Sequence, residues 1–417
     1  MPSKSCTHIK YRVQLFKENL QSIFEYTEFF TEVPEIEVIC HVSNKANFSS
    51  FMVKFKGSND IIYLVAKEYL HHWNHGIDCN ILKPFLRECL LYEISQKCPE
   101  LVQITPKCYH FSSTSYEEFC ESITKSKIKK SWFPTKPPKP INKDSGLVLF
   151  EDLRPENGWR TLTRQDCSDL HVTKLIIEKM ATFHGIMYQW LESQDETEQL
   201  LKRLKYPLYK ENSIKLQWKM LKYVEDILKK SSKSKEFIKA FKCYRKYQIQ
   251  HDFRSCLPRY SNFVTLILGN VQFEDILFNE QTSELKFSNF EAVQFAHPAQ
   301  DFWTFIYTTT TSKWRNDYLD EIIFLYYQRI SKYFGPSLFE DFKIEFYSKR
   351  AFGISWALYS LPFLLKNKNT KVNSIKRWKK LQKWKKKQFK KLNNRGNEEF
   401  KDTILEIIEK AHQLRLF

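Results

Sequence analysis

Residues 264–302 read VTLILGNVQFEDILFNEQTSELKFSNFEAVQFAHPAQDF. The apolar run Val264–Leu268 has strand character and stops at Gly269-Asn270. A short polar turn leads to a second run, Ile276-Leu277-Phe278. A third, Leu285-Lys286-Phe287, runs into Ser288-Asn289-Phe290-Glu291. Pro298–Asp301 then reads as a turn that opens an aromatic helix, with Asp301 as a natural N-terminal cap.

Upstream, Val13, Phe16, Leu20, Ile23 and Phe24 recur at helical spacing within residues 11–32. Residues 35–66 instead alternate: Ile36, Val38 and Cys40, then Phe51, Val53 and Phe55, then Ile61 to Val65. Polar turns at Ser43-Asn44 and Gly57–Asp60 separate them, so an antiparallel sheet is expected. Lys67 ends the third run. On the next helical segment, Glu88 and Tyr92 lie one turn apart on one face. Taken alone, this lysine and glutamate read equally well as solvated surface charges. Residues 170–250 have helical spacing, and His184, in Ala181-Thr-Phe-His-Gly, reads as a packing or hydrogen-bonding histidine rather than a catalyst. Phe352–Leu365 is too short to span a bilayer and reads as a core helix.

Taken in order, these motifs resemble the ecdysteroid kinase-like (CHK kinase-like) proteins of insects, relatives of choline and aminoglycoside kinases. The family pattern is roughly H-G-D-x-W-x-x-N-I-L-F, then I-D-F-Q, then P-A-x-D-L. Other matches are F-x-x-E-x-x-x-Y at Phe85–Tyr92 and P-K-C-Y at Pro106–Tyr109, and GLVLFEDL at Gly146–Leu153 resembles the family's L-V-L-E-D-L. The resemblance spans residues 36–360 and implies an α+β, two-lobed, protein-kinase-like fold. A helical extension over 1–34 would precede a small antiparallel-sheet N-lobe over 35–154 and a large, mostly helical C-lobe over 155–417. It further implies ATP as nucleotide, with Lys67 on its phosphates and paired to Glu88. Phe150, Glu151, Asp152 and Leu153 would form the hinge whose backbone meets adenine. Asp301 would bond back to the catalytic loop.

The chain keeps this frame and changes its chemical letters. Leu268 stands at the family's His position, Asn270 at the catalytic Asp and Asp275 at the metal-binding Asn. Asn289 stands at the second metal-binding Asp, and Glu291 at the Gln. An asparagine has no basic carboxylate, and losing a positioned base costs roughly 10²–10⁴-fold in rate. Magnesium prefers carboxylate and phosphate oxygens, so at Asp275 and Asn289 it is expected to bind weakly, with Glu274 and Glu291 as further sources of charge. The combination points to a pseudokinase that binds a nucleotide, small molecule or partner. The alternatives are an active ATP-dependent phosphotransferase acting on a steroid or other small alcohol, and a scaffold that docks acidic partners.

The net charge is +18. Lys371–Arg395 carries twelve basic and no acidic residues, so this one segment holds most of that excess. Ile375, Trp378, Leu381 and Trp384 recur within it. It reads as a C-terminal tail helix that either packs its apolar stripe on the core or meets an anionic membrane or acidic protein. No nucleic-acid fold signature accompanies it. Lysines and prolines over 120–145 read as an extended surface loop. His71, His75 and Cys79 have zinc-type donors but lack an evident fourth ligand, and read as exposed loop residues. Ten cysteines without a C-x-x-C pair, and an N-terminus without an apolar core, place the expected protein in the cytoplasm with reduced thiols.

Overall fold

The computed structural model describes residues 35–44, 48–56, 61–69, 83–111, 147–153, 157–193, 221–222, 224–231, 233–256, 263–335, 339–364 and 398–416. The expected N-terminal helix over 11–32, the loop with His71, His75 and Cys79, the stretch 120–145 and the basic segment 371–395 lie outside the described residues. The chain forms two compact units. One comprises residues up to Arg160 together with Asn289–Glu291; the other comprises Thr161–Ser288 and Ala292–Phe417.

The first unit is built on five strands: β1 (Glu35–Asn44), β2 (Phe48–Lys56), β3 (Ile61–Tyr69), β4 (Cys108–Phe111) and β5 (Leu147–Glu151). They run in the order β1-β2-β3-β5-β4, and every pairing is antiparallel. The two-residue period explains the core, because Val53 and Phe55 on β2 and Leu64 and Ala66 on β3 are all buried. Lys67 is therefore on the opposite face of β3 from Leu64 and Ala66. Helix α1 (Lys83–Lys97) buries Glu88, Leu91, Tyr92 and Ser95, the i, i+3, i+4, i+7 stripe of a single face. The alternating pattern and the helical stripe were both legible in the sequence.

The second unit is mostly helical. Helix α2 (Leu170–Glu192) starts where Asp169 accepts from the Val172 amide at 3.0 Å. Helix α3 (Lys235–Cys243) is capped by Ser234 and continues through a π-helical turn, Tyr244–Gln248, into α4 (Ile249–Arg254). Two short sheets follow. Strand β7 (Thr265–Ile267) pairs with β10 (Gln294–Ala296), and β8 (Ile276–Asn279) forms a hairpin with β9 (Glu284–Phe287). Strands β7, β8 and β9 match the three apolar runs of the opening stretch. Strand β6 (Trp159–Thr161) leads into this unit, and the Leu162 amide donates to the Ile276 carbonyl at 3.1 Å.

Helix α5 (Ala299–Thr309) is buried over its whole length. Around it lie α6 (Ser312–Phe334), α7 (Phe339–Ser348) and α8 (Arg350–Leu364). Phe302, Trp303, Tyr326 and Phe346 form its aromatic core, and the Trp303 indole donates to the Phe346 carbonyl at 2.8 Å. A Cβ on Gly353 would lie 2.5 Å from the Trp303 side chain, so only glycine lets α8 approach this closely. The expected core helix is α8, which buries Phe352, Ile354, Ala357, Leu358 and Leu361. No helix among the described residues is long and apolar enough to cross a membrane.

Beyond the basic segment 371–395, itself outside the described residues, helix α9 (Glu398–Gln413) packs against α8. Ile404, Ile407, Ile408 and Ala411 of α9 are fully buried. Arg315 donates to Glu406 at 2.6 Å, and Lys233 pairs with Glu409. In sequence, the basic segment thus lies between two docked helices.

Candidate active-site residues

Lys67 and Glu88 meet in the first unit as an ion pair whose side chains are 5% and 2% exposed. Glu291 adds a second carboxylate, 2.9 Å from the same ammonium. Burial alone would drive the proton off a lysine. Here burial is the largest influence, but Glu88 and Glu291 together outweigh it and hold the Lys67 pKa above the ordinary lysine value. The ammonium is thus charged and doubly paired. Beside it, Tyr92 meets Phe290 edge-on with ring centroids 5.8 Å apart. Burial, then Glu88, push the Tyr92 hydroxyl far above its usual range, so it stays protonated.

Two features of the 289–291 segment bring Glu291 to this place. Asn289 has φ +65°, a left-handed conformation that asparagine tolerates better than most side chains. Phe290–Ala292 then forms a tight 3₁₀ turn. Sequence reasoning named Glu291 as a source of charge for a metal. The structure puts that charge on Lys67.

The expected hinge comprises the last two residues of β5, Phe150 and Glu151, and the two that follow. Phe150, Glu151 and Leu153 are half-buried and Asp152 is buried. The Glu151 amide donates to the Lys107 carbonyl at 2.9 Å, and the Lys107 amide donates to the Glu151 carboxylate at 2.8 Å. The Asp152 carbonyl accepts from the Asn157 side chain at 3.0 Å. The Glu151 amide is therefore committed, while a carbonyl such as that of Asp152 keeps a second lone pair.

In the second unit, the turn at 268–270 is held from below. Asp301, fully buried, accepts from the Leu268 amide at 2.7 Å and the Gly269 amide at 2.9 Å. Its Oδ2 also meets His184 Nε2 at 3.1 Å, and His184 Nδ1 meets the Tyr326 hydroxyl at 2.7 Å. Burial, followed by the Asp301 charge, keeps Tyr326 protonated. His184 is structural, as its sequence context suggested. Asp301 bonds to the loop as the resemblance implied, but it is not the helix cap. Pro298 occupies that position, and no side chain caps the helix. The carboxylate cannot serve its own helix because it is spent on the loop backbone.

Gly269 has φ +82°, and a Cβ there would lie 2.0 Å from the Ala292 carbonyl oxygen, so no other residue fits. The turn ends at Asn270, which is half-buried and accepts from the Gln272 amide at 3.1 Å. Asp275 is anchored through its backbone, its carbonyl accepting from the Ser288 amide at 2.8 Å and the Ser288 hydroxyl at 3.0 Å. In the second unit the candidate base and first metal positions therefore sit on braced turns, with an amide at Asn270 and a carboxylate at Asp275; Asn289, in the first unit, carries an amide.

His297 braces the entry to α5. The Ala299 amide donates to its Nδ1 at 3.0 Å, and its Nε2 lies 3.3 Å from the Glu345 carboxylate. A proton on Nδ1 would face that amide hydrogen. Burial, the largest cause, holds the His297 pKa below the ordinary histidine value; Glu345 pulls the other way, and Lys349 and His184 add to the lowering. Such a histidine binds its proton more readily unfolded than folded. Its stabilising effect is full above the unfolded pKa of about 6.5 and is lost as pH falls towards the folded value. Melting temperature is expected to fall between pH 7.5 and 5.5, and His297→Gln should flatten that dependence. An unchanged slope in the variant would remove His297 from the account.

These units together define an α+β protein of the kinase-like class, with an antiparallel sheet first and a largely helical part second. The chain belongs to the Ecdysteroid kinase-like family, whose profile matches residues 51–336. Among solved structures it is similar to an ethanolamine kinase of Plasmodium vivax, with 13% identity, TM-score 0.43, and 92% of this chain and 84% of that one covered. It is also similar to a choline kinase of Cryptosporidium parvum Iowa II, with 9% identity, TM-score 0.47, and 98% of both chains covered. A macrolide 2'-phosphotransferase type I follows, with 8% identity, TM-score 0.38, and coverage of 83% and 91%. No curated protein sequence matches the chain.

Kinase-like chemistry calls for ATP and magnesium. Among the described residues no three His, Cys, Asp or Glu side chains gather as a metal-holding group. Lys67, the expected phosphate contact, already carries two carboxylates. At the two expected metal positions the chain has one carboxylate, Asp275, and one neutral amide, Asn289.

Proposed function

We propose that this member of the ecdysteroid kinase-like family is a pseudokinase, binding a small molecule or partner without efficient phosphoryl transfer. The observation that carries the reading is Asn270. The turn that presents it is braced by Asp301 through Leu268 and Gly269, yet the group presented is an amide that accepts from Gln272. An amide cannot take the proton of an attacking hydroxyl, and proton acceptance is the base's task in this chemistry. Asn289 adds to the defect, since it offers a neutral oxygen where an anionic metal ligand is expected. The lack of paired cysteine spacing favours the cytoplasm, and the segment 371–395 is a candidate contact for acidic partners or anionic membrane.

The second reading, an active phosphotransferase on a steroid or other small alcohol, is favoured by the Lys67–Glu88 pair and the carboxylate of Asp275. ATP consumption by the purified protein, against a panel of steroid and amino-alcohol acceptors, separates the two. The expected result is turnover far below the roughly 1–100 per second of ordinary kinases. Turnover in that range, abolished by Lys67→Met, would establish the second reading instead.

A further inference from the structure

Helix α9 completes a cluster of cations in the second unit. Arg315 on α6 is 3% exposed. Its Nη1 donates to the Thr310 carbonyl at 2.6 Å and its Nη2 to Glu406 of α9 at 2.6 Å, while its buried Nε has no hydrogen-bond partner. The Tyr307 ring carries a second guanidinium besides that of Arg315: their central carbons lie 4.8 Å (Arg315) and 5.7 Å (Arg350, the first residue of α8) from its centroid. The Arg350 Nε donates to the Tyr307 hydroxyl, and the rings of Trp303 and Tyr347 flank the same guanidinium at 5.4 and 5.6 Å. Lys410 follows Glu406 by one turn on the same face of α9.

Among the described residues, Glu406 is the one carboxylate paired with any of these three cations. Asp320 is taken by the Tyr347 hydroxyl at 2.8 Å and by Lys343 at 3.7 Å, and Glu409 pairs with Lys233. Three cations against one carboxylate leave an excess of two positive charges. The aromatic faces stabilise the guanidinium groups. Lys410 has no such support. A helix C-terminus favours a cation in water, whereas this one is half-buried beside two others. Burial, then Arg350, then Arg315 hold its pKa below the ordinary lysine value.

We propose that Arg350 and Lys410, with Arg315 behind them, form a second binding site, for a doubly charged oxyanion of the phosphate class. Guanidinium groups match the oxygens of such an anion, and a dianion cancels the excess charge. Among the described residues neither the Arg350 Nη groups nor the Lys410 ammonium has a hydrogen-bond partner. Both side chains are half-buried, so their donors border solvent and an anion meets them at the surface, without an enclosed cavity. The site uses no residue of the candidate phosphotransfer site and stands whether or not the pseudokinase reading does.

Equilibrium unfolding of the full chain without nucleotide or magnesium tests this, with inorganic phosphate as probe and sodium chloride matching the ionic strength. Across about 0–20 mM phosphate the wild-type unfolding constant is expected to fall about tenfold. Lys410→Met keeps the side-chain stem and removes the charge. In chloride it should melt no lower than wild type, because it relieves repulsion, and its response to phosphate should vanish. Lys410→Arg should keep the response. An equal response in wild type and Lys410→Met would put the anion elsewhere and overturn the proposal. Equal responses to phosphate and chloride, the mark of general screening, would overturn it too. So would a Lys410→Met protein less stable than wild type in chloride, which would show that Lys410 already has a partner. A phosphoserine peptide separates the two sources of the anion: a response at lower concentration than inorganic phosphate, again lost in Lys410→Met, puts it on a partner chain, and a weaker one makes it a free ion. Trace acetylation of the wild-type chain, read at Lys410 against the exposed Lys313 by mass spectrometry, needs no variant. Phosphate should slow Lys410 selectively, and a uniform effect on both lysines would count against the site.

Discussion

Truncating the chain after Leu364 is expected to abolish the cooperative melt of the helical unit, although it leaves every candidate site residue in place. The lost segment includes α9, whose Ile404, Ile407 and Ile408 are fully buried. Each buried Ile→Ala change costs about 2–5 kcal/mol. Three together approach the whole stability of a typical domain, about 5–15 kcal/mol. Truncation also strands Arg315, buried on α6, by removing Glu406. A buried charge that loses its partner costs about 3–5 kcal/mol more. Denaturant unfolding should show Ile407→Ala destabilised by about 2–5 kcal/mol. Replacing 371–395 by a Gly/Ser linker should leave the wild-type melt intact if the contacts described for α9 are sufficient to anchor it. A truncated protein that melts like wild type would refute the docking role. If the linker variant loses salt-sensitive retention on anionic vesicles while keeping its melt, the basic segment is a binding element.

Helix α9 shows where sequence reading stopped. The α9 pattern, Ile404, Ile407, Ile408 and Ala411 at i, i+3, i+4 and i+7, was present in the letters. Beside a dense run of lysines it went unread, and the run looked terminal. The sheet of the first unit was legible because one buried face imposes a two-residue period. The Lys67–Glu88 pair was legible only from its order, strand then helix, since neither charge pattern nor spacing says which way a lysine points. Asp301 illustrates the limit of local rules. An acid at the start of a helix satisfies the cap pattern; the loop contact followed only from the family resemblance, and nothing local showed that His184 shares the same oxygens. Tyr326, which completes that network, carried no signal beyond helical spacing.

Glu291 was illegible for a different reason. Its position depends on the left-handed backbone at Asn289 and on a three-residue turn, both set by packing. The change from the family's glutamine was visible in the sequence. Its consequence was not, because a carboxylate near a metal position and one on a lysine require the same letter.

Asp301→Asn is expected to loosen the 268–270 turn even though it changes one atom. The wild-type carboxylate accepts three hydrogen bonds, from the Leu268 amide, the Gly269 amide and His184. An asparagine offers one accepting oxygen and one NH₂ group. If the NH₂ takes the Oδ1 place, it faces the Gly269 amide, donor against donor. If it takes the Oδ2 place, it faces the Leu268 amide, and no histidine tautomer repairs that contact. Either orientation leaves a buried N–H without its acceptor, at about 1–3 kcal/mol. Asp301→Ala removes all three acceptor contacts and should cost more, about 1–3 kcal/mol for each buried donor left unpaired. The discriminating measurement is amide hydrogen exchange at Leu268 and Gly269 under native conditions. Acceleration of about tenfold per 1.4 kcal/mol is expected at these two amides, beyond that of α5 itself. If both variants melt lower but exchange at 268 and 269 rises no more than elsewhere, Asp301 stabilises the unit as a whole without specially holding the turn. If the exchange is local, the brace that presents position 270 is confirmed. The same turn with Asn270→Asp and Asn289→Asp would then test how much of a kinase can be restored by changing letters on an intact frame.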